Sequence, residues 1–399
     1  MPNVTFYVPT GHMPSDEMLA ELSSDCIKLC TSVLDAALEN VHVVYVDVRH
    51  GHGHPVFAEV RYRLETFRTA PVMDQFMKAL DDAIARRMGL TARIRCFGYA
   101  ASNIQAAISN QKVVWRKAVS TIPFPSQQVG DFTITAISDG YLTASLDFLS
   151  NIDPCEASRM QSDAGQKAPS AVHINCYVVR GAGRAILIDG GAGGIKQWGG
   201  RLRSNLSLAG IDPSEIDTIL LTHAHPDHVG GLVDTAGHIT FPNAELVVHH
   251  REVAFWQDDG NLSRASERAR GNFLIARQVF DGYRDRLRTF NEGEVLPGIR
   301  AMPLPGHTNG HSGYLFESAN HSLLVWGDIV HFPHIQIERP NVSIAFDQDP
   351  SLAATTRSRL LDLVSSEGLL IAGMHLGELG FARIKRTSGS YGLLYETEA

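Results

Sequence analysis

The chain has 399 residues, 44% of them hydrophobic and 20% charged, and a formal net charge of -8. That length and balance fit a globular protein of two or more domains. No basic excess is present to neutralise phosphates, so a general nucleic-acid or anionic-membrane binder is excluded.

The opening Met1-Pro2-Asn3-Val4-Thr5 lacks a basic stretch followed by an apolar one, so no signal peptide is expected. Residues 4–8 read as a short strand. Pro14-Ser15-Asp16-Glu17 opens a helix with Ser15 as its N-cap. Leu19, Leu22, Cys26, Leu29 and Val33 repeat at three and four and give that helix one buried face. The five cysteines, Cys26, Cys30, Cys96, Cys155 and Cys176, are odd in number and scattered, unlike a disulfide framework. Cys26 and Cys30 read as core-facing thiols, and a cytoplasmic location is expected. Residues 41–49 form a second strand, His50-Gly51-His52-Gly53-His54 a turn, and residues 56–64 an alternating strand. A second helix covers 71–88 with Phe76, Met77, Leu80 and Ile84 inward, and residues 93–99 form another strand. The order gives two β-α-β units of similar size, an internal duplication. Residues 101–129 lack periodicity, and Ile122-Pro123-Phe124-Pro125-Ser126-Gln127-Gln128 marks a linker. The domain junction is placed near residue 118, giving domains 1–118 and 119–399.

Residues 132–137 begin a new alternating strand, turned by Asp139-Gly140-Tyr141. Residues 173–179 and 185–188 read as paired strands around Arg180-Gly181-Ala182-Gly183. Asp189-Gly190-Gly191-Ala192-Gly193 follows, then a helix over 197–208 ended by Gly210. Strand-like and helix-like segments alternate from there on, an α/β layered pattern. No apolar run is long enough to cross a bilayer.

The apolar run Ile219-Leu220-Leu221 reads as the end of a buried strand, and Thr222-His223-Ala224-His225-Pro226-Asp227-His228 follows it. Four potential ligands fall within six residues. Neutral imidazole and carboxylate suit zinc and its neighbours, and this density outweighs a His-rich polar turn. Three more candidates follow later strands. His307 lies in Pro305-Gly306-His307-Thr308-Asn309-Gly310-His311-Ser312. Asp328 ends Leu324-Val325-Trp326-Gly327-Asp328, and His375 ends Leu370-Ile371-Ala372-Gly373-Met374-His375. Alone, each reads as a turn or capping residue; with the first cluster they make five His and two Asp.

The pattern His-x-His-x-Asp-His, then Gly-His-Thr-x-Gly-His, a Gly-Asp and a late His, resembles the metallo-β-lactamase superfamily. The resemblance implies an αββα sandwich with a two-metal site along one edge. It assigns His223, His225 and His307 to one ion, Asp227, His228 and His375 to the other, and Asp328 to both. His225, rather than Glu, points away from the flavo-diiron branch and towards hydrolases. Asp189 matches the acid after the family's Leu-Ile-Asp-x-Gly strand, with an implied role in orienting ligands. The implied cofactors are two divalent ions, zinc by default, with manganese, cobalt or iron also compatible. The implied chemistry is attack by a metal-activated hydroxide, with Asp227 passing a proton to the leaving oxygen.

Leu149-Ser150-Asn151-Ile152-Asp153-Pro154, Ala171-Val172-His173-Ile174-Asn175-Cys176 and Glu338-Arg339-Pro340-Asn341-Val342 look like the methyl parathion hydrolase and quorum-quenching lactonase branch. Homoserine-lactone lactonases carry a Tyr three residues after the bridging Asp. Here that position is His331, a candidate substrate-binding residue or else a polar residue of the rim. Phe255, Trp256, Phe332 and Phe346 are candidates for an apolar mouth.

The doubled β-α-β layout and the Met1-Pro2 start resemble the tautomerase superfamily, in particular the carboxymethyl-hydroxymuconate isomerase type. The resemblance implies loss of Met1 and use of Pro2 as general base; an unperturbed terminal amine titrates near pH ~7.7–8. His12 and His42 stand where that family tends to place arginines, with Arg93 and Arg95 available as substitutes. Such units pack as trimers, which implies a homo-oligomer, through this domain as a trimer or through the hydrolase domain as a dimer. The expected fold is therefore α/β, an αββα sandwich preceded by a small βαβ-βαβ domain. The expected function is opening of a lactone or related ester, coupled to tautomerisation of the product in aromatic-compound catabolism. The alternative is a phosphotriesterase or arylesterase whose N-terminal domain only oligomerises. The expected partner is a small-molecule substrate. A purely structural metal site is disfavoured, because structural zinc sites are closed and four-coordinate.

Overall fold

A computed structural model describes residues 2–37, 40–100, 124–234 and 236–396. Two compact units divide the chain, Met1–Trp115 and Arg116–Ala399. The junction expected near residue 118 lies outside the described residues.

The first unit has strands Asn3–Pro9, His42–Val48, Val56–Arg63 and Ala92–Tyr99, and helices Asp16–Ser32 and Ala70–Met88. Asn3–Pro9 pairs parallel with His42–Val48 and antiparallel with Val56–Arg63, which pairs parallel with Ala92–Tyr99. Each β-α-β unit thus contributes one parallel pair, and the duplication joins the pairs back to back. Period two buries Val4, Phe6 and Val8 and Val56, Ala58 and Val60 on one face, where Leu22, Cys26, Cys30, Phe76 and Leu80 meet them. Ser15 caps the first helix by accepting the Met18 N–H at 3.4 Å. In the second helix the buried stripe runs through Met73, Phe76, Leu80, Ala83 and Ile84. Met77, expected inward, sits at the edge of that stripe and is only half-buried. Cys26 and Cys30 are buried free thiols.

The second unit holds two seven-stranded sheets. The first runs Leu287–Phe290, Glu245–His249, Thr218–Leu220, Arg184–Ile188, Ala171–Gly181, Phe132–Thr143, Ser126–Val129. The second runs Gly293–Leu296, Ile299–Pro303, Ser312–Ser318, His321–Val325, Leu370–Ala372, Phe381–Arg386, Tyr391–Tyr395. Strand side chains alternate between two cores. Tyr177, Val179, Ile186, Ile188 and Leu220 pack with Tyr314, Val325, Ala372 and Phe381 of the other sheet. Cys176, Val178, Leu187 and Ile219 face Leu206, Phe273 and Phe280 on the helices outside. The helix Pro350–Glu367 covers the far side through Leu360, Leu361 and Val364. The layers are helix, sheet, sheet, helix. Burial on both faces explains why the central strands Thr218–Leu220 and Leu370–Ala372, buried at every residue, read as continuous apolar runs rather than alternating ones.

Two expectations differ. Asp139-Gly140-Tyr141 is not a turn: the strand runs on to Thr143 through a register shift at Ser138/Gly140. That bulge turns Asp139 aside, so its carboxylate accepts the N–H groups of Ala192, Gly200 and Leu202 at 2.8–3.0 Å. The helix placed over 197–208 begins only at Leu202. Before it, a single turn at Ile195–Gln197 gives way to extended chain, because Gly199 and Gly200 take φ of 53° and 90°. Among the described residues no helix is long and apolar enough to cross a membrane.

Candidate metal centre

All seven expected ligands come from loops that follow strands of the second unit. His223, His225, Asp227 and His228 follow Thr218–Leu220, and the short helix Pro226–Val229 begins inside this run, with Pro226 at its first position. Asp328 follows His321–Val325, and His375 follows its parallel neighbour Leu370–Ala372. His307 sits between Ile299–Pro303 and Ser312–Ser318. The loops are tied together by the Ser312 N–H to the Thr222 carbonyl at 3.0 Å and the Tyr314 hydroxyl to the Leu221 carbonyl at 2.7 Å.

The donors form two groups. In one, Nε2 of His223, Nδ1 of His225 and Nε2 of His307 lie 2.9–3.1 Å from each other. In the other, Nε2 of His228 and of His375 each lie 3.2 Å from Asp328 Oδ2 and 3.6 Å from Asp227 Oδ2. Asp328 Oδ2 is also 3.8 Å from His223 and 3.5 Å from His307, so it stands between the groups.

The outward ring nitrogens have acceptors that orient the inward ones. Nδ1 of His228 faces Asp189 Oδ2 at 2.6 Å, Nδ1 of His307 faces Asp347 Oδ1 at 2.8 Å, and Nδ1 of His375 faces the His173 carbonyl at 2.6 Å. Asp189 also accepts the Thr222 N–H at 2.8 Å and its hydroxyl at 2.7 Å. Burial holds His223 and His225 well below the usual histidine range. Burial opposes charge on His228 too, but Asp328, Asp227 and Asp189 around it raise its pKa well above normal. Nδ1 of His223 faces the Thr222 hydroxyl, which itself donates to Asp189, and Nδ1 of His307 faces Asp347, so the Nε2 atoms of these two rings turn lone pairs towards each other across 3.1 Å, and Asp328 Oδ1 is buried without a hydrogen-bond partner. Unpaired acceptors of this kind are costly in a protein interior. Divalent cations satisfy both features, so the residues present fit a pair of ions.

Three supporting residues carried no signal in a local reading of the chain. Glu252, 1% exposed, accepts from Ala224 N–H at 3.0 Å and Trp256 Nε1 at 2.9 Å with one oxygen. Its other oxygen accepts Gly310 N–H at 3.0 Å and the Thr308 hydroxyl. One carboxylate thereby clamps the His223–His225 loop to the His307 loop. A Cβ at residue 310 would fall 2.8 Å from the Glu252 backbone nitrogen and 3.0 Å from its carboxylate oxygen, which favours glycine there. His311 lies within the quoted motif but had no assigned role. Burial pushes it down to about 3, so it is neutral. Its Nδ1 donates to the Leu304 carbonyl and its Nε2 accepts the Asp328 N–H, both at 2.8 Å. Gly327, at φ 60°, leaves room for that ring: a Cβ there would fall 2.3 Å from His311 Nε2. Asp347, the partner of His307, is likewise distant in the chain from what it orients.

A cavity of about 300 Å³ opens onto Asp227, Asp328, His225 and His331. Trp198, Phe255, Trp256 and Phe346 form its aromatic walls. Phe332, expected at this mouth, is instead packed among Leu146, Leu149 and Val342. His331 places Nε2 3.3 Å from Asp328 Oδ2. Leu149–Ser150 pairs antiparallel with Ser343–Ile344, and Asn151 donates to the Asn341 carbonyl at 2.9 Å, so two of the branch-like stretches meet in space. Pro2 belongs to the first unit; it is buried, and its carbonyl accepts the His42 N–H at 3.2 Å. His12, His42, Arg93 and Arg95 are exposed there.

The sandwich and the His/Asp set at its edge define a metal-dependent hydrolase. The chain belongs to the metallo-beta-lactamase superfamily, whose family model matches residues 170–375. Among solved structures it resembles the hydrolase AbOPH of the beta-lactamase superfamily, 31% identical with a TM-score of 0.65, covering 69% of this chain and 98% of that one. The dizinc quorum-quenching lactonase AidC, 24% identical, shares the fold with the same TM-score and coverage. Among curated relatives, YobT of Bacillus subtilis (strain 168), itself uncharacterised, is 30% identical over 160 residues. That match takes in 40% of this chain and 63% of YobT, under two thirds of the relative's length.

Proposed function

We propose that the second unit is a dinuclear metal hydrolase that opens a lactone or related cyclic ester. One observation carries this reading: Asp328 stands between two donor groups that open onto an aromatic-walled cavity. His223, His225 and His307 would hold one ion and Asp227, His228 and His375 the other, with zinc the default. Bound there, the ions supply Lewis acidity and lower the pKa of a water. Asp189, Asp347 and the His173 carbonyl keep the ligand rings in the binding tautomer. The aromatic walls exclude bulk water and set the ester against the centre. His331 holds the substrate carbonyl, and Asp227 carries the proton that the attacking water loses to the leaving oxygen. The similarity to AbOPH and AidC supports this reading.

The test is a hydrolase screen of the metal-loaded full chain on a lactone panel and on paraoxon-like phosphotriesters. Higher kcat/KM on lactones is expected; a clear preference for the phosphotriester overturns it.

We further propose that the first unit ketonises the enol released by ring opening, with Pro2 as base. Its doubled β-α-β layout supports this, with Pro2 placed just before the first strand. On an enol-lactone, Pro2→Ala is expected to abolish ketonisation while ring opening continues; unchanged ketonisation removes the coupling. A homo-oligomer is part of this proposal, supported by Val44, Phe97 and Tyr99 exposed on strands of that unit. Light scattering at the mass of a single chain would count against it.

A further inference from the structure

The loop between Asp189 and the helix Leu202–Leu208 gives the cavity one of its aromatic walls, Trp198. Its tip faces solvent: Gly193, Gly194, Lys196 and Gln197 are exposed. Gly194 N–H donates to the Trp198 carbonyl at 3.0 Å and Trp198 N–H to the Ile195 carbonyl at 2.9 Å. These bonds fix the shape of the tip but not its place, because both partners belong to it. Trp198 is half-buried against the cluster that holds Leu142, Val172 and Phe332.

The place of the tip is set by one buried carboxylate. Asp139 is 0% exposed. Its Oδ2 accepts Ala192 N–H at 2.8 Å, where the loop begins. Its Oδ1 accepts Gly200 N–H at 3.0 Å and Leu202 N–H at 2.8 Å, where the loop ends. The acid thus clasps both ends around the tip. The backbone is shaped to admit it. Gly191 and Gly199 have φ of 68° and 53°, and a Cβ there would fall 2.6 Å and 2.0 Å from Asp139 Oδ2. Both the conformation and the close approach call for glycine. Each end has a second anchor of its own. Gly190 N–H donates to the His228 carbonyl at 2.7 Å and Gly231 N–H to the Gly191 carbonyl at 3.1 Å, which hold the incoming end on the ligand loop. Gly199 N–H donates to the Tyr141 carbonyl and Arg201 N–H to the Asp139 carbonyl, both at 3.0 Å, which hold the outgoing end on the strand Phe132–Thr143. The Asp139 side chain joins one end to the other.

We propose that Asp139 is a positioning residue for the substrate: by clasping the loop it holds Trp198 as a preformed wall, against which an aromatic or unsaturated ring of the lactone lies. The proposal rests on the hydrolase reading and narrows its substrates to lactones that carry such a ring. A preformed apolar wall needs no ordering when the ligand arrives, so the effect falls on binding. Asparagine does not replace the acid. Its amide has one acceptor oxygen and one NH2 group, so in either orientation an N–H meets a backbone N–H at one end of the loop. The clasp then opens, while the incoming end stays on the ligand loop and the metal donors keep their places.

The test uses the metal-loaded full chain and two lactones: dihydrocoumarin, which carries a fused aromatic ring, and δ-valerolactone, which does not. The wild type is expected to prefer dihydrocoumarin at least tenfold in kcat/KM. Asp139→Asn is expected to lower that preference at least fivefold, through KM on dihydrocoumarin, with metal content retained. Trp198→Ala is expected to lower it as far, and the double variant no further than Trp198→Ala alone, because Asp139 acts through Trp198. If Asp139→Asn does not fold, Gly199→Ala opens the clasp from the loop side and is expected to give the same loss. No preference in the wild type, equal losses on both lactones, or a double variant that shows the two effects in sum overturns the proposal. If neither lactone is hydrolysed, the hydrolase reading fails. Calorimetry with chroman, the cyclic ether that lacks the lactone carbonyl, then decides the positioning role alone: Asp139→Asn is expected to weaken chroman binding at least fivefold, and equal affinity overturns it.

Discussion

Glu252 and Ala224 stand 28 positions apart, and Glu252 Oε2 accepts the Ala224 N–H at 3.0 Å. The same carboxylate holds Gly310 N–H, Trp256 Nε1 and the Thr308 hydroxyl. Glu252→Ala strands these buried donors, each worth about 1–3 kcal/mol when left unpaired. The variant is expected to lose at least ~2 kcal/mol in urea unfolding and to retain less metal, because the His223–His225 and His307 loops come apart. Glu252→Gln, which keeps one acceptor oxygen, is expected to fall between. An unchanged midpoint together with full metal content would show that the clamp is dispensable.

Asp347 acts on one ligand only. Its Oδ1 faces His307 Nδ1 at 2.8 Å, and the buried Arg357 guanidinium lies 4.0 Å from its other oxygen. Asp347→Asn keeps the shape but can present an N–H to that nitrogen and so reverse the tautomer. Loss of such a partner typically costs about 10–100-fold in metal affinity. Chelator competition is expected to show one ion, not both, released that much more readily. Equal release of both ions would mean that Asp347 does not set the His307 ring.

How far the chain revealed its structure follows from the range of the contacts involved. The ligand run His223 to His228 is dense and local, and each later ligand follows an apolar strand, so the residues that meet in space announce themselves in sequence. Asp189 was legible for the same reason. Glu252 was not: on the helix His250–Gln257 it reads as surface charge, and only the return of the chain at Gly310 gives it a buried role. Asp139 was misplaced because a bulge and a turn share the same residues, and the partner that decides between them is the loop 192–202, more than fifty positions away.

Removal of the ions separates function from fold. The inter-sheet core of Tyr177, Leu220, Tyr314, Val325 and Phe381 contains none of the donors. Exhaustive chelation is therefore expected to abolish hydrolysis yet leave the far-ultraviolet circular dichroism in place, and a divalent metal should restore the rate. Metal analysis of the reconstituted chain is expected to give two ions per chain, and one for His375→Ala. A single ion in the unaltered chain would sink the dinuclear reading.

His331 can serve the centre in two ways, and they part on metal content. Its Nε2 lies 3.3 Å from Asp328 Oδ2, close enough that it also forms a donor group with His307 and Asp328. Its ring stacks on His375 at 5.2 Å and lines the cavity. The backbone N–H groups of His331 and Phe332 both donate to Gln336 Oε1, at 2.6 and 3.0 Å, so the ring is set by a rigid turn. Burial lowers its pKa despite Asp328, which favours a neutral imidazole that can offer one N–H to a carbonyl oxygen. Loss of one donor aimed at a developing oxyanion costs about 100-fold in kcat. His331→Phe, which keeps the stacking on His375 and deletes the nitrogens, is expected to show a loss of that size with both ions retained. Retained rate would remove His331 from the chemistry. Loss of one ion would make it a ligand, and the seven-donor set an eight-donor one.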